Sequence, residues 1–228
     1  MRGTTLRSPQ VATAYVLTAI AGCVDAIAFT RVTGVFPANQ SGNLILLGLG
    51  AGGFPGGAPV WRTAGAIAAF ALGVMAAARC SGRFGRRRDP ALLTVELGLL
   101  AAAVWLCGSL PPEGASSTVD GVRGTIALVV LGLAMGVQTE IIGRVVGVGV
   151  STTFETGALT RLAEQLGRPG GTDLQVVTVL AVGVATYVGG AAAGSAIAEH
   201  WSRPLTVPVV ALAAVTLAHA VRLRQLRS

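Results

Sequence analysis

The chain has 228 residues, of which 52% are hydrophobic and only 12% charged, and its mean hydropathy is +0.69. Its apolar runs approach ~20 residues, the length of a bilayer-spanning helix, which excludes a soluble globular protein. The net charge of +7 comes from 17 basic residues, all of them arginine, against 10 acidic ones. Because the arginines cluster at the ends of apolar runs, they indicate membrane topology and not a nucleic-acid-binding face. We therefore expect a membrane protein with the lipid bilayer as a partner and no nucleic acid.

Six apolar runs are long enough to cross a bilayer as helices. In chain order they are Val11–Thr30, Val60–Arg79, Ala91–Leu110, Gly124–Gly143, Leu174–Ala198 and Leu205–Val221. Two shorter stretches, Val35–Gly52 and Val150–Leu166, follow the first and the fourth run. We expect the first run to be a retained helix and not a cleaved signal peptide. These runs predict an all-α integral membrane protein with a single membrane domain over residues 1–228.

The chain also contains signs of an internal repeat with an offset of 115 residues. Asp25 precedes Ser41-Gly42 by 16 residues, and Glu140 precedes Thr156-Gly157 by the same interval. This spacing divides the chain into two repeat halves, 11–110 and 124–223. Transporter binding sites are typically found at the interface of such halves, where broken helices meet near the bilayer midplane.

The distribution of charge chooses between two topologies. The loop 79–89 carries five arginines, whereas the loop 111–122 carries two acidic residues and no arginine. The positive-inside rule predicts that the first loop and both arginine-bearing termini are cytoplasmic. All loops agree with this rule only if the two short stretches enter and leave the membrane on the same side. We therefore favour six transmembrane helices plus two short re-entrant or broken segments, arranged as two inverted repeats; the alternative is eight full spans.

Polar and helix-breaking residues crowd the start of the first short stretch, which reads Gly34-Val-Phe-Pro-Ala-Asn-Gln-Ser-Gly-Asn43. We expect an extended entry that ends near Ser41, whose side chain caps a short helix. The backbone N–H groups at such a helix start can hold an anion or a polarised solute. Asn39, Ser41, Gly42 and Asn43 are therefore candidate site residues; the alternative is that the side chains of Asn39, Gln40, Ser41 and Asn43 only satisfy the backbone of a buried turn.

The second short stretch begins with Gly147-Val-Gly-Val-Ser-Thr-Thr-Phe-Glu-Thr-Gly157. Thr153, Thr156 and Gly157 are its candidate site residues. Glu155 has the spacing of a capping-box residue relative to the hydroxyl groups before it, so its role could be only to start a helix.

Acidic residues within predicted spans are the strongest functional signal, because a carboxylate in a membrane is costly and normally faces a cavity, a partner or an ion path. Asp25 and Glu140 each precede the short stretch of their own half. The alternative for Glu140 is a salt bridge to Arg144, and for Asp25 a structural pairing with another helix. Gln138 shares the helix of Glu140 and is a further polar candidate. Glu96 is near the predicted cytoplasmic end of its span, where it could reach the interface.

The motifs resemble those of the YoaK-like family of small bacterial multi-pass membrane proteins, whose function is unknown. The resemblance is carried by Gly22-Cys-Val-Asp-Ala26, Phe29, Gly34–Asn43, Gly149–Gly157 and Leu159-Thr-Arg-Leu162. It extends over essentially the whole chain. The resemblance implies a bacterial inner-membrane protein and no settled substrate.

Together these observations predict a small-solute or ion transporter, or a channel-like permease, with a pathway between the two halves. The residues predicted to line its outer half are Asp25, Asn39, Ser41 and Asn43, and those predicted to line its inner half are Gln138, Glu140, Thr153 and Thr156. The alternative is a non-transporting membrane scaffold or accessory subunit, in which the same motifs are packing devices. Small-xxx-small patterns are compatible with close helix packing within the chain or with a homo-oligomer. No residue set in the sequence points to an enzyme, a metal site or a cofactor.

Overall fold

The computed structural model describes residues 9–56, 58–81, 88–108, 121–145, 155–168 and 171–225, and over these residues it is helical without any strand. The helices are α1 (Pro9–Ile27), α2 (Gln40–Ala51), α3 (Val60–Ser81), α4 (Arg88–Cys107), α5 (Gly121–Val145), α6 (Glu155–Leu166), α7 (Leu174–His200) and α8 (Thr206–Gln225). A π-helical segment, Ala28–Thr33, continues α1.

Six of the described helices, all except α2 and α6, are long and apolar enough to cross a membrane. The helices α2 and α6 have 12 residues each. At 1.5 Å per residue each rises about 18 Å, less than the ~30 Å of a hydrocarbon core. The prediction of an all-α membrane protein with six spans and two short segments is therefore confirmed, and eight full spans do not fit. The predicted ends shift by a few residues: α8 ends at Gln225 and not at Val221, and the first short helix begins at Gln40.

Contacts along the helices give their relative directions. The Tyr15 hydroxyl near the start of α1 donates to the carbonyl of Val179 in α7, at 3.3 Å. The Arg31 guanidinium, past the end of α1, donates to the carbonyl of Ala198 near the end of α7. Because early residues meet early residues and late residues meet late ones, α1 and α7 are parallel.

The helices α3 and α5 are also parallel, since Ala66 lies beside Gly132 and Gly73 lies beside Gly136. The helix α1 is antiparallel to α3 and α5, because Gln138, late in α5, donates to the carbonyl of Leu17, which lies in the first half of the span Val11–Thr33, at 2.9 Å.

A second contact also shows that α1 is antiparallel to α3 and α5. Val35, which follows the π-helical segment at the end of α1, packs with Ala66 and Leu128, which are early in α3 and in α5. Since α1 is antiparallel to α3, the segment between them, which contains α2, does not cross the membrane. Since α5 is antiparallel to α7, the segment containing α6 does not cross it either.

Two helix crossings approach so closely that only glycine fits. At the α1/α7 crossing, a Cβ atom on Gly22 would overlap the carbonyl oxygen of Tyr187, and one on Gly190 would overlap that of Ala19. Close backbone approach at small residues is a typical packing mode of membrane helices.

The α3/α5 crossing has the same construction. A Cβ atom on Gly73 would overlap the carbonyl oxygen of Leu133, and one on Gly136 would overlap that of Phe70. The main cluster of buried apolar side chains continues from these crossings through α4 and α8 and includes Leu93, Leu131 and Leu212. The same cluster includes Ala38, in the residues before α2, together with residues of α1 such as Val24 and Ile27.

Candidate functional site

The structure places the carboxylate of Asp25 where three parts of the chain meet: α1, α7, and the non-helical residues Gly34–Asn39 before α2, which we call the broken segment. Asp25 is 2% exposed and lies eight residues before the end of the span Val11–Thr33, about 12 Å inside it at 1.5 Å per residue. Its Oδ1 accepts a hydrogen bond from the backbone N–H of Ala38 at 2.7 Å, and its Oδ2 accepts one from the N–H of Asn39 at 2.9 Å. The hydroxyl of Tyr187 in α7 donates to Oδ2 at 2.6 Å. Charge-assisted hydrogen bonds of this kind are about twice as strong as neutral ones.

These contacts show which anion occupies the N-terminus of α2. The N–H groups of Ala38 and Asn39 immediately precede the helix, where the helix dipole favours negative charge. An acidic side chain favours cations, whereas a helix start favours anions, so the sequence alone offers two features with opposite preferences. In the structure the carboxylate of Asp25 is the anion bound at that helix start, so the two features form one site.

Amide side chains complete the turn before α2. The backbone N–H of Phe36 donates to Oδ1 of Asn43 at 3.0 Å, and Nδ2 of Asn43 donates back to the carbonyl of Phe36 at 2.6 Å. Nδ2 of Asn43 also donates to Oε1 of Gln40 at 3.1 Å, and Gln40 in turn donates to the carbonyl of Pro37. Asn43 is fully buried. The polar residues of this segment therefore satisfy the backbone of a buried turn, as one of the two sequence alternatives expects.

The helix cap differs from the sequence prediction. Asn39, and not Ser41, caps α2: its Oδ1 accepts the N–H of Gly42 at 3.0 Å. Asn39 has the non-helical backbone of a cap residue, with φ −79° and ψ 86°, whereas Ser41 already lies inside the first turn and is exposed. Gly42 packs under the ring of Phe36. The prediction that Ser41 caps the helix is wrong because the chain enters the helix two residues earlier.

The π-helical segment after α1 determines where the chain turns back. The residue that follows it, Gly34, caps the segment, and its φ of +70° is a left-handed conformation that favours glycine. Within this segment the buried guanidinium of Arg31 holds the carbonyl of Ala198. Phe29 stacks on Phe36 with ring centroids 4.4 Å apart, which fixes the residues before α2 against the π-helical segment. π-Helical turns are rare and often occur at functional sites.

Among the described residues, the candidates of the second half are Gln138, Glu140, Thr156 and Gly157, and the hydrogen bonds given above for Asp25 and Asn43 do not include them. Gln138 is fully buried and donates to the carbonyl of Leu17 at 2.9 Å, while Glu140 is half-buried on the same helix. Thr156 and Gly157 are exposed in the first turn of α6. Thr153 lies outside the described residues.

Two further residues belong to the buried polar groups of the structure: Tyr187, which the sequence did not single out, and Glu96, which the sequence placed near the interface. Tyr187 binds Asp25, and the sequence signal for it is only that tyrosine is scarce, with two in the chain. Glu96 is fully buried, and neither carboxyl oxygen has a hydrogen-bond partner among the described residues. The expectation that Glu96 reaches the interface is therefore wrong. No group of three or more His, Cys, Asp or Glu that could hold a metal occurs in the described part of the chain.

Comparison with known proteins gives one family and one curated relative. Residues 13–218 match the family model described as "Protein of unknown function (DUF1275)". The "UPF0700 transmembrane protein YoaK" of Bacillus subtilis (strain 168) is 30% identical over 146 residues, which cover 64% of this chain and 62% of that protein. The matched region thus spans less than two thirds of the relative. No solved structure matches the chain.

Proposed function

We propose that this chain, which belongs to the DUF1275 family of proteins of unknown function, is a small-solute or ion permease with a pathway between two pseudo-symmetric halves. The family match confirms the resemblance predicted from the motifs, and the six spans agree with the name of the transmembrane relative. The proposal includes no catalytic activity, metal or cofactor.

The observation that carries the proposal is the position of Asp25. A carboxylate inside a membrane is costly and is typically retained for a path, a ligand or a proton relay. Asp25 binds both the broken segment of its own half and Tyr187 of the other half. The substrate sites of transporters with inverted repeats typically lie at this kind of junction, where a discontinuous helix meets the opposite repeat.

The two glycine crossings support the division into halves. Each crossing joins one helix of the first half to one helix of the second. Residues that make the same contact at the two crossings are separated by a constant interval. Between α1 and α5 the interval is 114 residues, for Gly22 and Gly136 and for Ala19 and Leu133. Between α3 and α7 it is 117 residues, for Phe70 and Tyr187 and for Gly73 and Gly190. The antiparallel directions of α1 and α5 support the proposal that the second half is inverted relative to the first.

The same contacts suggest how a pathway opens. With 2% of Asp25 exposed, the carboxylate is sealed in this conformation. Its contacts with Ala38 and Asn39 are local, whereas its contact with Tyr187 connects it to α7. A movement of α7 away from α1 would release the Tyr187 hydroxyl, and a cation or a hydrogen-bonding solute could then take its place on Oδ2, which still accepts the N–H of Asn39.

We also propose that the protein lies in a bacterial inner membrane with both termini in the cytoplasm. The end of α3 and the start of α4 share a side with the start of α1, because α3 is antiparallel to α1. Arg79 in the last turn of α3 thus lies on the side of the start of α1, and the arginines in the last turn of α8 lie on that side as well, as the positive-inside rule favours for a cytoplasmic face.

Solute flux into vesicles tests the proposal. The purified protein would be reconstituted in vesicles of phosphatidylethanolamine and phosphatidylglycerol, and entry of sodium, potassium, chloride, phosphate, urea and glycerol would be followed by light scattering after an osmotic step. We expect at least one solute to enter faster than in protein-free vesicles. Asp25→Asn should reduce that flux at least tenfold, because the amide cannot replace the charge.

Asp173→Asn is the matched control. Asp173 caps α7 by accepting the N–H groups of Gln175 and Val176, and asparagine is an equally good cap residue. The control variant should retain the flux. Full flux in folded Asp25→Asn would remove Asp25 from the pathway, and no accelerated solute at all would contradict the permease.

A scaffold or accessory subunit is the second candidate, and one observation favours it. The amide groups of Asn39, Gln40 and Asn43 are bound within their own segment. If they serve only packing, Asn43→Ala will lower the thermal stability of the protein while no solute moves even through wild-type vesicles.

A further inference from the structure

Glu96 is a buried carboxyl that the pathway around Asp25 does not use. It lies within the span Asp89–Cys107, about 11 Å from one end and 17 Å from the other at 1.5 Å per residue. Its exposure is 0%, and neither oxygen is hydrogen-bonded within the described part of the chain. Transfer of an isolated carboxylate into such a site is far more costly than transfer of the neutral acid.

The surroundings leave a proton as the ligand that fits. A metal cation needs several oxygen ligands, and the described residues contain no acidic, histidine or cysteine cluster that could supply them. A proton needs only the carboxyl group itself. Protonation also removes the charge that an unpaired carboxylate would otherwise leave buried at this place in α4.

Other ionisable groups on the helices around α4 lie mostly toward the surface. The helix α4 packs against α5 and α8. Within the described side chains the ionisable residues of these three helices are Asp89, Glu96 and Cys107 on α4, Arg123 and Glu140 on α5, and His219, Arg222 and Arg224 on α8. Of the residues other than Glu96, the three arginines are exposed, Asp89, Glu140 and His219 are half-buried, and Cys107 is a buried thiol at the end of α4.

We propose that Glu96 is a proton-binding site inside the membrane, protonated when the helices are packed as in this structure and able to exchange its proton when α4 separates from its neighbours. As part of the proposed permease, which this step presupposes, the site would couple solute movement to proton movement. Protonation and exchange themselves do not depend on any solute.

Infrared spectroscopy of the full-length protein in lipid nanodiscs at neutral pH tests the site directly. A protonated carboxylic acid gives a carbonyl band that a carboxylate lacks, and Glu96→Gln should remove one such band. Glu199→Gln is the matched control, because Glu199 is exposed at the end of α7 and should give no acid band. If Glu96→Gln does not fold, Glu96→Met provides the same comparison with a neutral side chain.

Transfer into deuterated buffer provides the second readout. The Glu96 band should shift over minutes to hours as the proton is replaced by deuterium. An unchanged spectrum in Glu96→Gln would overturn the proposal, because the carboxyl would then be ionised in the wild type. A band that never shifts would overturn it as well, because the proton would be sealed in. If the band exchanges while no solute crosses vesicles, the proton site stands and the permease fails.

Discussion

The α1/α7 and α3/α5 crossings share a backbone arrangement but differ in the polar groups beside it. Both bring glycines against carbonyl oxygens at equivalent positions. Beside the first crossing, Asp25 and Tyr187 form a hydrogen bond of 2.6 Å. The positions equivalent to them are Thr139, whose hydroxyl binds only the carbonyl of Met135 in its own helix, and Phe70.

This difference separates what the fold requires from what the site requires. Close glycine packing is present at both crossings, so it belongs to the way these helices fit together. The buried carboxylate and the phenol occur at one crossing only, so packing does not demand them. The polar groups that distinguish the two crossings therefore lie near the end of α1, beside the segment that leads into α2.

The largest effect is expected from removing the carboxylate at the polar crossing. Asp25→Ala leaves two backbone N–H groups and the Tyr187 hydroxyl without their acceptor, and each unsatisfied buried group costs about 1–3 kcal/mol. We expect a loss of about 4 kcal/mol in the free energy of unfolding, measured by denaturant unfolding in detergent micelles. Thr139→Val at the apolar crossing should change stability by no more than about 1 kcal/mol. Equal losses in the two variants would show that the crossings do not differ in this way.

A somewhat smaller effect is expected from filling a glycine contact. Gly190→Ala forces a methyl group onto the backbone of Ala19, and overpacking of this kind costs about 3 kcal/mol. Gly189→Ala is the matched control, because its Cβ atom would meet no heavy atom within 4 Å. Thermal unfolding should show a large loss for the first variant and none for the second.

The α3/α5 crossing extends this prediction. Gly136→Ala would press against the backbone of Phe70 and should be about as costly as Gly190→Ala. A neutral Gly136→Ala beside a damaging Gly190→Ala would break the equivalence of the two crossings.

The smallest effect is expected from making the crossings chemically alike. Tyr187→Phe places at this position the residue that the other crossing already contains, so the ring should fit. Loss of one hydrogen bond to a charged group should lower stability by about 1.5 kcal/mol. A double-mutant cycle with Asp25→Asn measures the coupling between the two side chains. A coupling energy of zero would mean that the hydroxyl contributes nothing through Asp25.

The fold class and part of the site could be predicted from the sequence. Apolar length distinguishes the six spans from the two short segments, and arginine positions predict that the short segments return to the side they came from. Asp25 and Asn43 stand out as polar residues within apolar sequence. These signals are local, which explains why they are visible without a structure.

The partners of these residues could not be predicted, because they depend on contacts between distant parts of the chain. Tyr187 lies 162 residues from Asp25. The spacing to the short segments pairs Asp25 with Glu140, whereas the crossings place Thr139 at the equivalent position. One residue corresponds to a rotation of about 100° around a helix, so this small shift in offset changes which side chain faces the junction. The burial of Glu96 could not be predicted, because the distance of a residue from the helix end does not show which helices cover it.

The two crossings also determine the order in which the chain can assemble during synthesis. Gly73 and Gly136 are 63 residues apart, whereas Gly22 and Gly190 are 168 apart. At ~5–20 residues per second, α7 emerges roughly 8 to 34 seconds after α1 has entered the membrane. During that interval Asp25 has no contact with Tyr187, so α1 is inserted well before it can reach its final environment. Neither half contains a complete crossing, and a nascent chain that ends before α7 would leave α1 without the helix against which it packs.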